Sequence, residues 1–207
     1  MNSNSKRKKE ILSVALLLML AMGVDGQPIN FGLFGGITAS QISGDPYTGF
    51  RKLGVAAGGF MNQYIDLDIY WQAELKYVIR GVYKGPEVND PTLYRSTYHY
   101  IELPLSVHYL HDEKFQLEMG ISPDVLVGVV FEDENGILKP TESDNNTFGL
   151  NVFLGLGYWI TPTLMANLRY TNSAISFRET QEWNHPQYRG YFHNVMSLTL
   201  AYRFKKK

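Results

Sequence analysis

The 207-residue chain contains no cysteine and, beyond its N-terminus, no long apolar run. Without cysteine there is no disulfide, no thiolate metal site and no thiol for lipid attachment behind a leader. No internal segment approaches the roughly 20 continuous apolar residues that a transmembrane helix needs. An excess of one charge is lacking too, because 19 Lys and Arg stand against 20 Asp and Glu. That balance argues against a nucleic-acid partner, which calls for a basic patch or surplus. The five histidines, His99, His108, His111, His185 and His193, show no HExxH or other metal-ligand spacing. A Gly-x-Ser-x-Gly elbow and a phosphate-binding glycine loop are both missing, so no catalytic site, metal or cofactor is indicated.

The N-terminus is informative. Lys6, Arg7, Lys8 and Lys9 precede an apolar run from Ile11 to Met22, and Val24 and Gly26 occupy small-residue positions before Gln27. This is the pattern of a secretory signal peptide over residues 1–26, with an apolar core too short to span a bilayer. The alternative is an uncleaved anchor or a buried helix. Residues 27–207 then form one domain, as the length suggests. A chain exported without a helical anchor ends up soluble or crosses a membrane as strands.

What the mature chain does have is period-two alternation. From Leu67 to Tyr83, one face carries Leu67, Ile69, Trp71, Ala73, Leu75, Tyr77, Ile79 and Tyr83. The other carries Asp68, Tyr70, Gln72, Glu74, Lys76, Val78 and Arg80. Such alternation describes a strand between two different solvents, and this one exceeds the roughly 9–11 residues needed to cross a bilayer. The same pattern recurs near 29–40, 52–62, 97–109, 115–131, 148–158, 164–171 and 192–204, so eight strands are expected. Connections near 42–51, 84–96, 132–146 and 176–190 are long and polar, whereas those near 63–66, 110–114 and 160–163 are short. Long loops at one rim and short turns at the other are the layout of an eight-stranded antiparallel up-and-down transmembrane β-barrel.

A soluble calyx would also alternate, but three features favour lipid outside. Phe31, Trp71, Tyr109, Phe115, Tyr158, Tyr202 and Phe204 map near the short-turn rim. Tyr83, Phe131, Phe148, Tyr170 and Phe192 map near the other, which makes two aromatic girdles. The polar face is rich in Gly, Ser, Thr and Asn, and the apolar face carries no formal charge. Pro104 and Pro123 fall inside strands, where each removes a ladder bond, so bulges or irregularity are expected there.

On the polar face stand Glu74, Lys76, Arg80, Glu102, Glu118, Asp124, Arg169 and Arg203. An eight-stranded barrel is just wide enough for side chains to fill, and buried charges there must be paired. A structural salt-bridge network is therefore expected; a small ion path or a ligand contact is the functional alternative. Ser106 and His108 share a face with Asp124, which leaves room for a lipid-modifying enzyme as a lesser reading. In the long loops, Trp183 and Tyr188 are candidate contacts for a partner or glycan, or else pack onto the barrel mouth.

Read in order, "FGLFGGITAS", "GVAAGGFMNQYID", "QAELKYVIRGV", "YHYIELPLSVHYL", "FQLEMGISPDVLVG", "FGLNVFLGLGYWIT" and "SLTLAYRF" resemble the PorT-like outer-membrane β-barrel family of Bacteroidota. "IELPL", followed by a short turn and "EMGISP", is the most specific part. The resemblance implies a barrel of about eight strands in the outer membrane, in contact with its lipids and folded by its assembly machinery. The terminal aromatic strand looks like the assembly signal, although Lys205, Lys206 and Lys207 extend beyond Phe204. The founding member takes part in type IX secretion, which implies a secretion-system or surface-protein partner. The expected role is structural or interactive, accessory to secretion or surface assembly. The alternatives are a small channel or ligand-binding barrel and, less favoured, an outer-membrane enzyme.

Overall fold

A computed structural model gives the fold and describes residues 28–44, 49–86, 92–134, 136–138, 145–178 and 190–205. The signal peptide expected over residues 1–26 lies outside them. Within the described residues the strands are β1 (Asn30–Ser43), β2 (Lys52–Tyr64), β3 (Ile69–Lys84), β4 (Tyr94–Glu102) and β5 (Leu105–His111). They continue as β6 (Phe115–Asp133), β7 (Gly136–Leu138), β8 (Phe148–Thr161), β9 (Leu164–Ser173) and β10 (Phe192–Arg203).

The pairings form a ring. β1 pairs with β2 and with β10, and the ladder continues through β9, β8 and β6. From β6 it passes to β4 and β5, then to β3, which returns to β2. Every pairing is antiparallel, and β7 only extends the long β6–β8 connection as a short hairpin on β6. With β4 and β5 sharing one stave, this is an eight-stranded up-and-down barrel. Closure leaves no stave without a partner on either side, which is what hydrocarbon requires. No helix among the described residues is long and apolar enough to cross a membrane.

Alternation sorts the side chains as the pleat dictates. Leu33, Ile37, Leu53, Leu75, Met119 and Leu156 are each more than half exposed on the outer wall. Glu74, Arg80, Glu118, Ser40 and Thr38 are buried on the inner one. An apolar exterior around a polar interior inverts a soluble protein and fits a lipid solvent. Phe31, Tyr109, Phe115, Tyr158, Tyr202 and Phe204 face outward near the short-turn rim, and Phe148 and Tyr170 near the other. Trp71 keeps the outward register but is only 5% exposed.

Two expectations about irregularity are refined. The fourth stave breaks into β4 and β5 at Leu103–Pro104, yet its register is unchanged: Glu102 faces Lys76 and Leu105 faces Ala73, three residues on in both strands. Pro104 still accepts a bond from the Glu74 N–H through its carbonyl, and Pro123 accepts one from the Leu103 N–H. The two missing donors thus fall beside one interruption, and Pro123 leaves the β6–β8 register intact. Register shifts lie elsewhere: one between Trp159 and Thr161 at the short-turn end of β8, and one opposite His99 and Tyr100, where Val127 is the extra residue of β6. One added residue reverses the facing of everything beyond it. Val129 and Phe131, expected on the lipid face, therefore turn inward and pack on the interior cluster.

Two staves from β4, at β2, the wall is drawn in. The inner face of β2 carries Gly54, Ala56 and Gly58, and a Cβ on Gly54 or Gly58 would lie 2.4 or 2.2 Å from the carbonyl oxygen of Ile79 or Leu75. The β2–β3 ladder ends at Ala56 and Val78, although β3 runs on to Lys84. Beyond that point β1 reaches across: Thr38 Oγ1 donates to the Ile79 carbonyl at 2.9 Å. Ser40 Oγ donates to the Gly81 carbonyl at 3.0 Å and accepts from the Gly81 N–H at 2.9 Å. Small residues let β1 and β3 meet, and this narrows the lumen.

The Val127 bulge is directly testable in a chain free of native cysteine. With single cysteines in detergent micelles, Val130→Cys is expected to react with a lipophilic maleimide and Val129→Cys to be protected. The reverse order would contradict the bulge.

Candidate functional site in the barrel lumen

The inward-facing residues of β3, β4, β6, β8 and β9 converge on the barrel axis and stack in levels. At the centre lies Arg169 of β9. Its Nε donates to Glu118 Oε1 at 2.6 Å and its Nη2 to Glu118 Oε2 at 3.0 Å. Its Nη1 and Nη2 also donate to Glu74, at 3.0 and 2.7 Å, so one guanidinium clamps two carboxylates. The planar fork of arginine suits this geometry, and its cation also lies 4.3 Å from the centre of the Phe153 ring. A relay of amides extends the level: Gln72 Nε2 donates to Glu74 at 2.9 Å, and Asn62 Nδ2 to Gln72 at 3.2 Å.

A second ionic level lies toward the long loops. Lys76 Nζ is 2.5 Å from Glu102 Oε2, and Arg80 Nη2 is 3.2 Å from Glu102 Oε1. Arg80 also pairs with Asp124 and donates to Asn151 Oδ1 at 3.1 Å. Asn151 Nδ2 donates to Asp124 at 2.7 Å, which closes a small ring of bonds. Arg80 is capped by Tyr100, whose ring centre lies 3.8 Å from the guanidinium carbon.

Apolar layers bound these levels. Nearer the short turns, Phe60, Leu110, Trp159, Met165 and Ala201 form a floor with Phe34 against it. Toward the loops, Ile42, Ala56, Val78, Val82, Tyr98, Tyr100 and Phe177 form a roof. His193 is buried among them, stacked on Phe177 at 4.0 Å and edge-on to Tyr98 and Tyr100 at 5.1 and 5.6 Å. The cavity lined by Glu74, Lys76, Glu118 and Arg169 measures about 20 Å³, the room of one water.

Seven of the eight expected charges thus meet in two levels. Arg203 does not join them. It is half-buried at the short-turn end, where its guanidinium carbon lies 4.5 Å from the Trp159 ring centre and Nη2 donates to the Pro162 carbonyl at 2.7 Å. As the last residue of β10, it lies beyond the span of the ionic levels. Among the described residues the two levels therefore hold four acids and three bases in place of equal numbers, with His108 Nδ1 3.7 Å from Glu118 Oε2. Trp183 and Tyr188 lie outside the described residues.

Ser106, noted with His108 and Asp124 in the sequence, sits 2.7 Å from His108 Nε2, while Asp124 belongs to the Arg80 level. The carboxylate near this histidine is Glu118, and both its oxygens are held by Arg169. Ser106 is buried and does not line the small central cavity, so its hydroxyl has no room there for a substrate. Alternation puts Tyr98 and Tyr100 on the inward face but does not reveal that they pack with Phe177 into an aromatic roof.

Outward apolar wall, closed ladder and filled polar interior together define an integral β-barrel of a bacterial outer membrane. A family model described as an outer membrane protein beta-barrel domain matches residues 5–177, and the chain belongs to that family. Among solved structures, Ail, the attachment invasion locus protein of Yersinia pestis, is similar. It shares 13% identity over 84% of this chain and 98% of its own, with a TM-score of 0.51. Neisserial surface protein A shares 14% over 87% and 100%, with a TM-score of 0.53. At such identities the likeness is one of fold. A search of curated proteins finds no match.

Removing one partner of a buried ion pair costs about 3–5 kcal/mol, because the other is stranded. Arg169→Met, which strands two carboxylates, is expected to lower unfolding stability by about that amount in urea titrations of the bilayer-inserted protein. Arg203→Ala is expected to cost about 1 kcal/mol or less, as for an exposed cation–π contact. Equal losses would contradict the assignment of Arg203 to the rim.

Proposed function

We propose that the protein is an outer-membrane scaffold with a plugged lumen, acting through its loops and wall and passing no solute. The observation that carries this reading is the continuous filling of the axis by an apolar floor, two ionic levels and an aromatic roof. The charge network is structural in this reading: Glu74, Lys76, Arg80, Glu102, Glu118, Asp124 and Arg169 hold the staves together from within. Long loops on a rigid barrel are where recognition resides. The narrower role is accessory to protein secretion or surface assembly, supported by the PorT-like resemblance of the mature chain. Its partners are then outer-membrane lipids, the assembly machinery and a secretion-system or surface protein. An N-terminal signal peptide delivers it to the periplasm.

Planar-bilayer recording of the purified barrel tests the plug. No stable conductance steps are expected, and reproducible single-channel openings would overturn the reading. Deletion of the gene is expected to lower the amount of secreted or surface-anchored proteins without changing uptake of small solutes. A selective uptake defect would point to a channel instead.

A further inference from the structure

On the outer wall a polar pair stands among apolar neighbours. Tyr77 of β3 and His99 of β4 both point outward, and Tyr77 Oη lies 2.6 Å from His99 Nδ1. Ile79 stands opposite His99 on one side and Gly128 on the other, with Ile101 next below on the same strand face. Two outward steps above His99 is Arg95, whose side chain is 44% exposed and pairs with Glu132 at 3.0 Å. The pair therefore sits where the apolar band gives way to the loop-bearing rim, the level of lipid acyl linkages in the outer leaflet.

Proton counting shows what the pair lacks. A tyrosine and a neutral histidine own two hydrogens, one O–H and one N–H, and their mutual bond uses one. If Tyr77 donates, the His99 Nε2–H is left over; if His99 donates, the Tyr77 O–H is left over. Neither side chain has another hydrogen-bond partner among the described residues. No tautomer satisfies the pair, so it always presents one donor to the membrane. Gly128 beside His99 adds no side chain: a Cβ there would lie 3.6 Å from the imidazole Cδ2. The ring thus borders a recess in the wall.

We propose that the Tyr77–His99 pair binds an acyl-linkage oxygen of an outer-leaflet glycolipid. The complementary group is an acceptor at the hydrocarbon boundary, and ester or amide carbonyls are the acceptors found there. Arg95 lies four residues along the same strand, about 13 Å away; its Nη1 is paired with Glu132, and its partly exposed guanidinium has further N–H groups to offer a phosphate. A phospholipid carries its phosphate and esters on a single glycerol, whereas a phosphorylated, multiply acylated disaccharide spans the distance. The inference rests on the barrel's place in the membrane and not on the plugged lumen, so a conducting barrel would leave it standing.

Each single substitution to phenylalanine leaves one donor, so the decisive variant is the double, Tyr77→Phe with His99→Phe. Full-length wild-type and double-variant barrels, checked for folding by heat-modifiable mobility, are titrated in micelles with lipopolysaccharide or phosphatidylethanolamine. Bound lipid is then counted by native mass spectrometry. The double variant is expected to bind lipopolysaccharide about tenfold more weakly, with phosphatidylethanolamine binding unchanged. Equal lipopolysaccharide binding by both proteins would overturn the proposal, as would an equal loss for both lipids. Should the double variant not refold, ¹⁵N resonances of the wild-type His99 imidazole serve instead. A saturable shift with lipopolysaccharide alone supports the site, and no shift or the same shift with both lipids overturns it.

Discussion

Inside a bilayer every backbone N–H and C=O must find its partner within the protein, and the rest of this structure follows from that constraint. It forces the ladder into a ring in which β10 returns to β1. It confines irregular backbone to the rims or to places where side chains substitute for the ladder. Where β3 parts from β2 beyond Val78, Thr38 and Ser40 supply the hydroxyls that the backbone of Ile79 and Gly81 would otherwise lack. At Leu103–Pro104, two prolines on neighbouring strands concentrate the missing donors at one point, and the register passes through undisturbed.

The interior solves a second problem with different means. Eight staves leave a narrow bore, and the small inner residues of β2 narrow it further by bringing β1 and β3 into contact. Charges placed there lose water, so each must recover its solvation from neighbours. Arg169 does so with two carboxylates at once, and Arg80 with Glu102, Asp124, Asn151 and the face of Tyr100. Apolar layers at both ends shield these pairs from bulk water and so strengthen them. A pore would need the opposite arrangement, a hydrated path with unpaired charge along it.

Much of this was legible in the sequence, because strict alternation has few alternative explanations. Strand number, the rhythm of long and short connections, and the inward set from Glu74 to Arg169 all follow from a period of two. Three things escaped. A bulge is a single-residue event, and Val127 resembles its neighbours, so Val129 and Phe131 read as lipid-facing until the partner strand is known. The ends of strands carry little positional information, so Arg203 read as lumenal when it caps the rim. Tyr98, Tyr100 and His193 lie on the inward face, but a polar-looking stretch gives no warning that it packs into an aromatic roof around Phe177, which comes from a connection.

The ionic levels join residues far apart along the chain. Glu74 and Arg169 are separated by 95 positions, Arg80 and Asn151 by 71, and Glu118 and Arg169 by 51. Glu74 lies on the third stave and Arg169 on the seventh, so they meet across the bore only once the sheet has curled almost fully round. Until then neither has its partner, and water must solvate both while the wall is already entering lipid. The nascent barrel is therefore wet inside and dries last, with the clamp of Arg169 on two carboxylates marking the end of assembly.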